Sequence, residues 1–95
     1  MMEIMTFRLA PGADEDAFRA ADRLVQTDFA YRQPGLLRRT TARAAGGAWI
    51  VIDLWRSAAD ADATNARWGE DPVTAAFMSF VDDASVRTER YATLD

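Results

Sequence analysis

Between Gly46-Gly47 and Ser57 runs Trp-Ile-Val-Ile-Asp-Leu-Trp, residues 49–55, in which Asp53 alone is polar. β-branched and aromatic residues bounded by glycine on one side and a capping serine on the other predict a strand. Alternate strand residues point to opposite faces. Ile50, Ile52 and Leu54 therefore share one face, and Trp49, Val51, Asp53 and Trp55 the other. Neither face suits water, so the segment must be covered on both sides. The purely aliphatic set is expected beneath the helices. The tryptophan set is expected on the uncovered face, where a second copy of the sheet would close over it.

The flanking sequence supplies the rest of the order. Glu3 to Leu9 reads as a first strand ended by Pro11-Gly12. Asp14, Glu15 and Asp16 suit the positive end of a helix, whose apolar stripe is Phe18, Ala21, Val25 and Phe29, closed by Pro34-Gly35. Leu36 to Arg43 reads as the second strand, joined to the third through a hairpin at Gly46-Gly47. Ser57 with Asp60 resembles a capping box, and Asp71-Pro72 supplies a second helix start with proline at the first position. The stripe Val73, Ala76, Phe77, Phe80 and Val81 follows, and Val86 to Leu94 is the last strand. The order β-α-β-β-α-β, with its second helix broken in two, predicts an α+β, ferredoxin-like fold with a four-stranded antiparallel sheet.

Residues 1–95 suffice for one domain and are too few for two. Nineteen of them are alanine, so each buried residue removes little area from water and an oligomer gains weight. A net charge of −4 argues against nucleic acid and against anionic membranes. No apolar run reaches the length of a membrane span, and Met1–Met5 lacks a basic, signal-like start, so a cytoplasmic location is expected.

The missing residues narrow the chemistry further. There is no His, no Cys and no Lys; all 11 basic residues are arginine. That removes Ser-His and Cys-His nucleophiles, Schiff-base chemistry and His-ligated haem or zinc. The acidic runs Asp14-Glu15-Asp16 and Asp82-Asp83 read as helix ends, so neither a metal nor a cofactor is expected. Asp53 is the polar exception on an apolar face and needs a partner, for which the neighbouring strand offers Arg38 or Arg39, depending on register. Such a pair serves either as a register-fixing ion pair or as a general base with a tuned pKa. Tyr91 on the last strand offers a hydroxyl to a ligand oxygen, and Met5 and Phe7 are expected in a cavity wall.

Pro11-Gly12 before Phe18, Pro34-Gly35 opening the second strand, Trp55-Arg56-Ser57 with Asp60, Asp71-Pro72 and the Phe77 stripe occur together in that order. In this the chain resembles the antibiotic biosynthesis monooxygenase-like family of the dimeric α+β barrel superfamily. The resemblance implies a homodimer with sheets back to back, and functions that range from cofactor-free oxygenation of phenols to haem degradation. The haem-degrading branch uses an Asn on the first strand and a His on the following helix, where Phe7 and Phe77 stand here, so that activity is rejected. The quinone-forming branch implicates an Asn, a Trp and an Arg, for which Asn65, Trp68 and Arg87 are the candidates. The expectation is a cofactor-independent monooxygenase of a small aromatic or polyketide-like substrate. Asp53, Arg87 and Asn65 would be catalytic, and Phe7, Trp55, Trp68, Tyr91 and Arg39 would bind substrate. The alternative is a non-catalytic dimer that binds a small ligand or serves a stress-related role.

Overall fold

The computed structural model describes residues 1–94. Seven main elements follow in order: β1 (Met2–Phe7), α1 (Glu15–Asp28), β2 (Leu36–Arg43), β3 (Trp49–Trp55), α2 (Ala58–Arg67), α3 (Pro72–Met78) and β4 (Arg87–Tyr91). The strands form one antiparallel sheet in the order β2-β3-β1-β4, with the helices on one face. This is the expected βαββαβ order, and the second crossing helix is indeed broken into α2 and α3.

Each helix starts where local chemistry satisfies its free amides. Asp14 accepts the N–H groups of Asp16 and Ala17 at the start of α1. Ser57 accepts the Asp60 N–H and donates to the Asp60 carboxylate, fixing the start of α2. Asp71 accepts the Val73 N–H at the start of α3, with Pro72 at the first helical position. Several ends differ from expectation. α1 stops at Asp28, and a 3₁₀ turn at Ala30–Arg32 intervenes, so Pro34-Gly35 opens β2 rather than closing the helix. β1 ends at Phe7, leaving Leu9 only an isolated bridge to Val81, and β4 runs from Arg87 to Tyr91, stopping short of Leu94.

The two faces of β3 are the reverse of the expectation. Trp49, Val51 and Trp55 are buried beneath the helices, and Ile50, Ile52 and Leu54 are only half-buried on the opposite face. There Ile52 lies beside Ile4, Leu54 beside Met2, and Ile50 beside Thr6. The physical reason is volume. α2 is half alanine, and a close-packed interior tolerates few voids. The sheet must therefore supply the bulk: Trp49 sits 4.9 Å from Phe18, centroid to centroid, and Phe7 packs edge-on against both Phe18 and Phe77. Hydropathy ranks isoleucine above tryptophan for burial, but the space under a small-residue helix ranks them by size. The face left without helices is thus the aliphatic one.

Candidate functional site

Sheet register sets a row of four charged side chains on the helix-covered face. Arg39 of β2 lies opposite Asp53 of β3, Asp53 opposite Glu3 of β1, and Glu3 opposite Arg90 of β4. Cross-strand neighbours place their Cβ atoms roughly 4.5–5.5 Å apart, so the two central carboxylates are close and an arginine flanks each.

Three of the four are held firmly. Arg39 is only 4% exposed. Its guanidinium donates to Gln26 Oε1 and to Asp22 Oδ1 of α1, each at 2.8 Å, and Thr41 donates to the same Asp22 oxygen. The backbone of Arg39 is clamped as well, its N–H donating to the Tyr31 hydroxyl and its carbonyl accepting from Gln26 and Tyr31. Glu3 accepts from Arg90 Nε at 2.9 Å and from the Asn65 amide at 3.2 Å. Arg90 also reaches Asp62 of α2 at 2.8 Å, which ties β1, β4 and α2 together.

Asp53 is treated differently. Of its two possible arginine partners, Arg39 is the one opposite, because the register sets Arg38 against Leu54 on the other face. Even so, Arg39 Nε stops 4.0 Å from Asp53 Oδ1, too far for a hydrogen bond, since Asp22 and Gln26 already hold the guanidinium. Asp53 Oδ1 is buried with no hydrogen-bond partner among the described residues. Burial raises the Asp53 pKa, Arg39 opposes that rise, and the charges of Glu3 and Asp22 add to it, leaving the carboxyl at about 6.

Glu3, Arg39, Asp53 and Asn65 form the polar wall of a cavity of about 290 Å³ between the sheet and the helices. Met5, Val51, Trp68 and Met78 supply much of the apolar wall. The site therefore lies within one chain, not between two facing sheets as the sequence reading expected. The reversal of the β3 faces is the cause.

The structure gathers some of the candidate residues and separates others. Asp53, Asn65, Trp68 and Arg39 line this cavity. Trp55 lines a smaller neighbouring cavity shared with Asp53. Trp68, in the turn after α2, is wedged edge-on between Phe29 and Phe77, which fixes its ring as a wall. Phe7 is not a wall residue; it belongs to the core cluster with Phe18 and Phe77. Arg87 and Tyr91 lie on the opposite face, where they line a separate pocket of about 180 Å³ with Ile4, Thr6 and Glu89, because β4 alternates and Thr88 and Arg90 take the helix side. Glu3, Asp22, Arg90 and Met78 were not anticipated. Glu3 was legible in principle: it stands two and four residues before Met5 and Phe7, on their face of β1.

Three of the similar solved structures define the architecture. A mutant of SnoaB, a cofactor-independent oxygenase from Streptomyces nogalater, superposes with a TM-score of 0.79 at 17% identity, over 99% of this chain and 92% of that one. An antibiotic biosynthesis monooxygenase matches with a TM-score of 0.63 at 13% identity, over 98% of this chain and 100% of the other. The chain has the antibiotic biosynthesis monooxygenase fold. Rv0793 from Mycobacterium tuberculosis shares it, with a TM-score of 0.69 at 20% identity over 99% and 94% of the two chains. No family model matches the sequence, and no curated protein matches it. At these identities the likeness is one of fold.

Proposed function

We propose that the 290 Å³ cavity is the active site of a cofactor-independent monooxygenase acting on a small, flat phenol, with Asp53 as the general base. One observation carries this reading: a carboxylate with a pKa near 6 stands in the wall of a largely apolar cavity, part of its side chain exposed there. A base poised near neutrality is the form in which a carboxylate removes a weakly acidic proton. The oxygenase activity of SnoaB, on the same fold, supports the reaction class.

The chemistry needs only substrate and dioxygen. Asp53 takes one proton from the activated ring CH₂, and the electron pair left on that carbon is delocalised into the ring as a phenolate. That carbon forms a bond to O₂, which is reduced to the peroxide level, and protonated Asp53 returns its proton to the peroxide. Loss of the remaining C–H proton with cleavage of the O–O bond releases water and leaves a carbonyl. One CH₂ and one O₂ thus give one C=O and one H₂O. Trp68 and Val51 would sandwich the ring. Asn65, held by Glu3, and the Arg39 charge would orient and stabilise the developing oxyanion.

Close packing at a density of about 0.74 lets the cavity hold a ligand of roughly 200 Å³, enough for two or three fused rings. The aliphatic face of Met2, Ile4, Ile52 and Leu54 supports a homodimer in which a second copy covers that face. Arg87 and Tyr91, placed there, would then serve the interface and not catalysis.

The test is oxygen consumption with hydroxyanthrones and smaller naphthols, wild type against Asp53→Asn. Uptake of one O₂ per quinone formed, reduced at least 100-fold in the variant, is expected. Absence of uptake by the pure protein across the panel overturns the oxygenase reading, and tight binding without turnover would leave a ligand-binding protein.

A further inference from the structure

Three buried side-chain atoms lack a hydrogen-bond partner among the described residues: Asp53 Oδ1, Trp55 Nε1 and Thr64 Oγ1. They come from separate places in the chain, two from β3 and one from α2. Trp55 is 3% and Thr64 4% exposed, so neither can turn to bulk solvent. Leaving such groups without partners costs about 1–3 kcal/mol each, so three in one domain demand a common explanation. All three residues line the same small cavity of about 30 Å³, behind the larger one.

We infer that this second cavity is a binding site for one ordered water molecule that joins Asp53 to Trp55 and Thr64. The volume fits a single water, for which roughly 10–15 Å³ is the minimum. The hydrogen-bond inventory also closes. The indole N–H only donates, an ionised carboxylate only accepts, and a threonine hydroxyl does either. Water accepts from Trp55, donates to Asp53 Oδ1, and makes its third bond with Thr64, the usual number for a buried water. No single protein group has that combination. Thr64 is telling, because a helical threonine ordinarily returns its hydroxyl to the preceding turn, and this one does not.

The site has a consequence for the carboxylate. Arg39, Asp53, Asn65 and Trp68 line both cavities, so the water stands directly behind the wall of the larger one. It holds the buried oxygen of Asp53, while the 21% of the side chain that remains exposed belongs to its other atoms. One oxygen is anchored and the rest of the group is left for a ligand. Trp55 and Thr64 are thereby positioning residues that act through the water. The water site itself stands on burial and volume alone, and only this positioning role rests on the reading of Asp53 as the base.

A crystal structure at about 1.5 Å tests the site directly. One ordered water within 3.2 Å of all three atoms is expected. A dry cavity, or atoms that have re-paired with each other, overturns the proposal. The second measurement follows the Asp53 carboxyl carbon by NMR titration. Thr64→Val removes one of the water's partners and should raise the Asp53 pKa by at least half a unit, and Thr64→Ser should restore it. An unchanged Asp53 pKa in a folded Thr64→Val protein overturns the link between water and carboxylate. Neither readout needs turnover. A failed oxygen-uptake assay therefore leaves the water site standing, and a dry cavity leaves the oxygenase reading standing.

Discussion

Replacing Asp53 with Asn should make the protein more stable at neutral pH while removing its activity. Asp53 has a pKa of about 6 in the folded protein against 3.8 in its absence, and the leading cause is burial. The folded state therefore holds this proton to higher pH than the unfolded state does. Stability from this group is complete below about pH 3.8 and is lost as pH rises through 6. A difference of about two pKa units, at roughly 1.4 kcal/mol each, sets a ceiling of about 3 kcal/mol. Arg39 at 4.0 Å is already counted in that figure, and a water on Oδ1 would return part of the cost, so a gain of about 1–3 kcal/mol is expected. Asparagine has nearly the same shape and carries no charge. Urea or thermal unfolding of both proteins at equal concentration should show only a small difference at pH 4 and a gap that grows to a plateau above pH 7. For a chain of this size the gap corresponds to at least about 4 °C in Tm. A variant no more stable than wild type at pH 7.5, or a gap of the same size at pH 4, would refute the reasoning.

Gly35 and Gly12 both have positive φ, at +84° and +78°, yet alanine should affect them unequally. A Cβ at Gly35 would sit 2.3 Å from the Asp60 carboxylate that Ser57 and Arg56 hold, so Gly35→Ala should cost about 2–4 kcal/mol through backbone strain and a damaged cap. Gly12→Ala meets nothing within 4 Å and should cost only the strain, about 1–2 kcal/mol; equal losses in chemical denaturation would contradict the contact. Ile52→Glu, on the aliphatic face, should convert a dimer to a monomer in sedimentation analysis while leaving the helix-side cavity intact. A wild-type protein that sediments as a monomer would end the dimer proposal.

Local chemistry explains why so much of the architecture could be read without coordinates. Asp14, Ser57 and Asp71-Pro72 each start a helix through atoms within three residues of themselves. The stripe Phe18, Ala21 and Val25 is buried as its spacing requires. Such signals depend on neighbours in sequence, so order and fold class follow from them. The strand ends were less legible, because where β4 stops depends on how far β1 continues beside it.

The site was legible only in fragments. Asp53 could be singled out as one carboxylate in an apolar strand, and the structure does place it in a cavity wall. Its surroundings could not be derived the same way. Asp22 and Gln26 of α1 take the guanidinium of Arg39, which converts an expected ion pair into a long, weak contact. Glu3, 50 residues away in sequence, becomes the cross-strand neighbour that helps hold the Asp53 pKa high.

The sequence by itself determined the strand and helix order, the capping points, and a chemistry confined to carboxylates, arginines and aromatics by the lack of His, Cys and Lys. Which face of β3 turns inward was decided only in three dimensions. An alternating strand that is apolar on both sides carries no local sign of its direction. Packing under the helices sets that sign: Trp49, Val51 and Trp55 are buried there, Trp49 against Phe18 of α1. Once the tryptophans turned inward, alternation carried Asp53 inward with them, and the same choice put the cavity under the helices and left the aliphatic face bare.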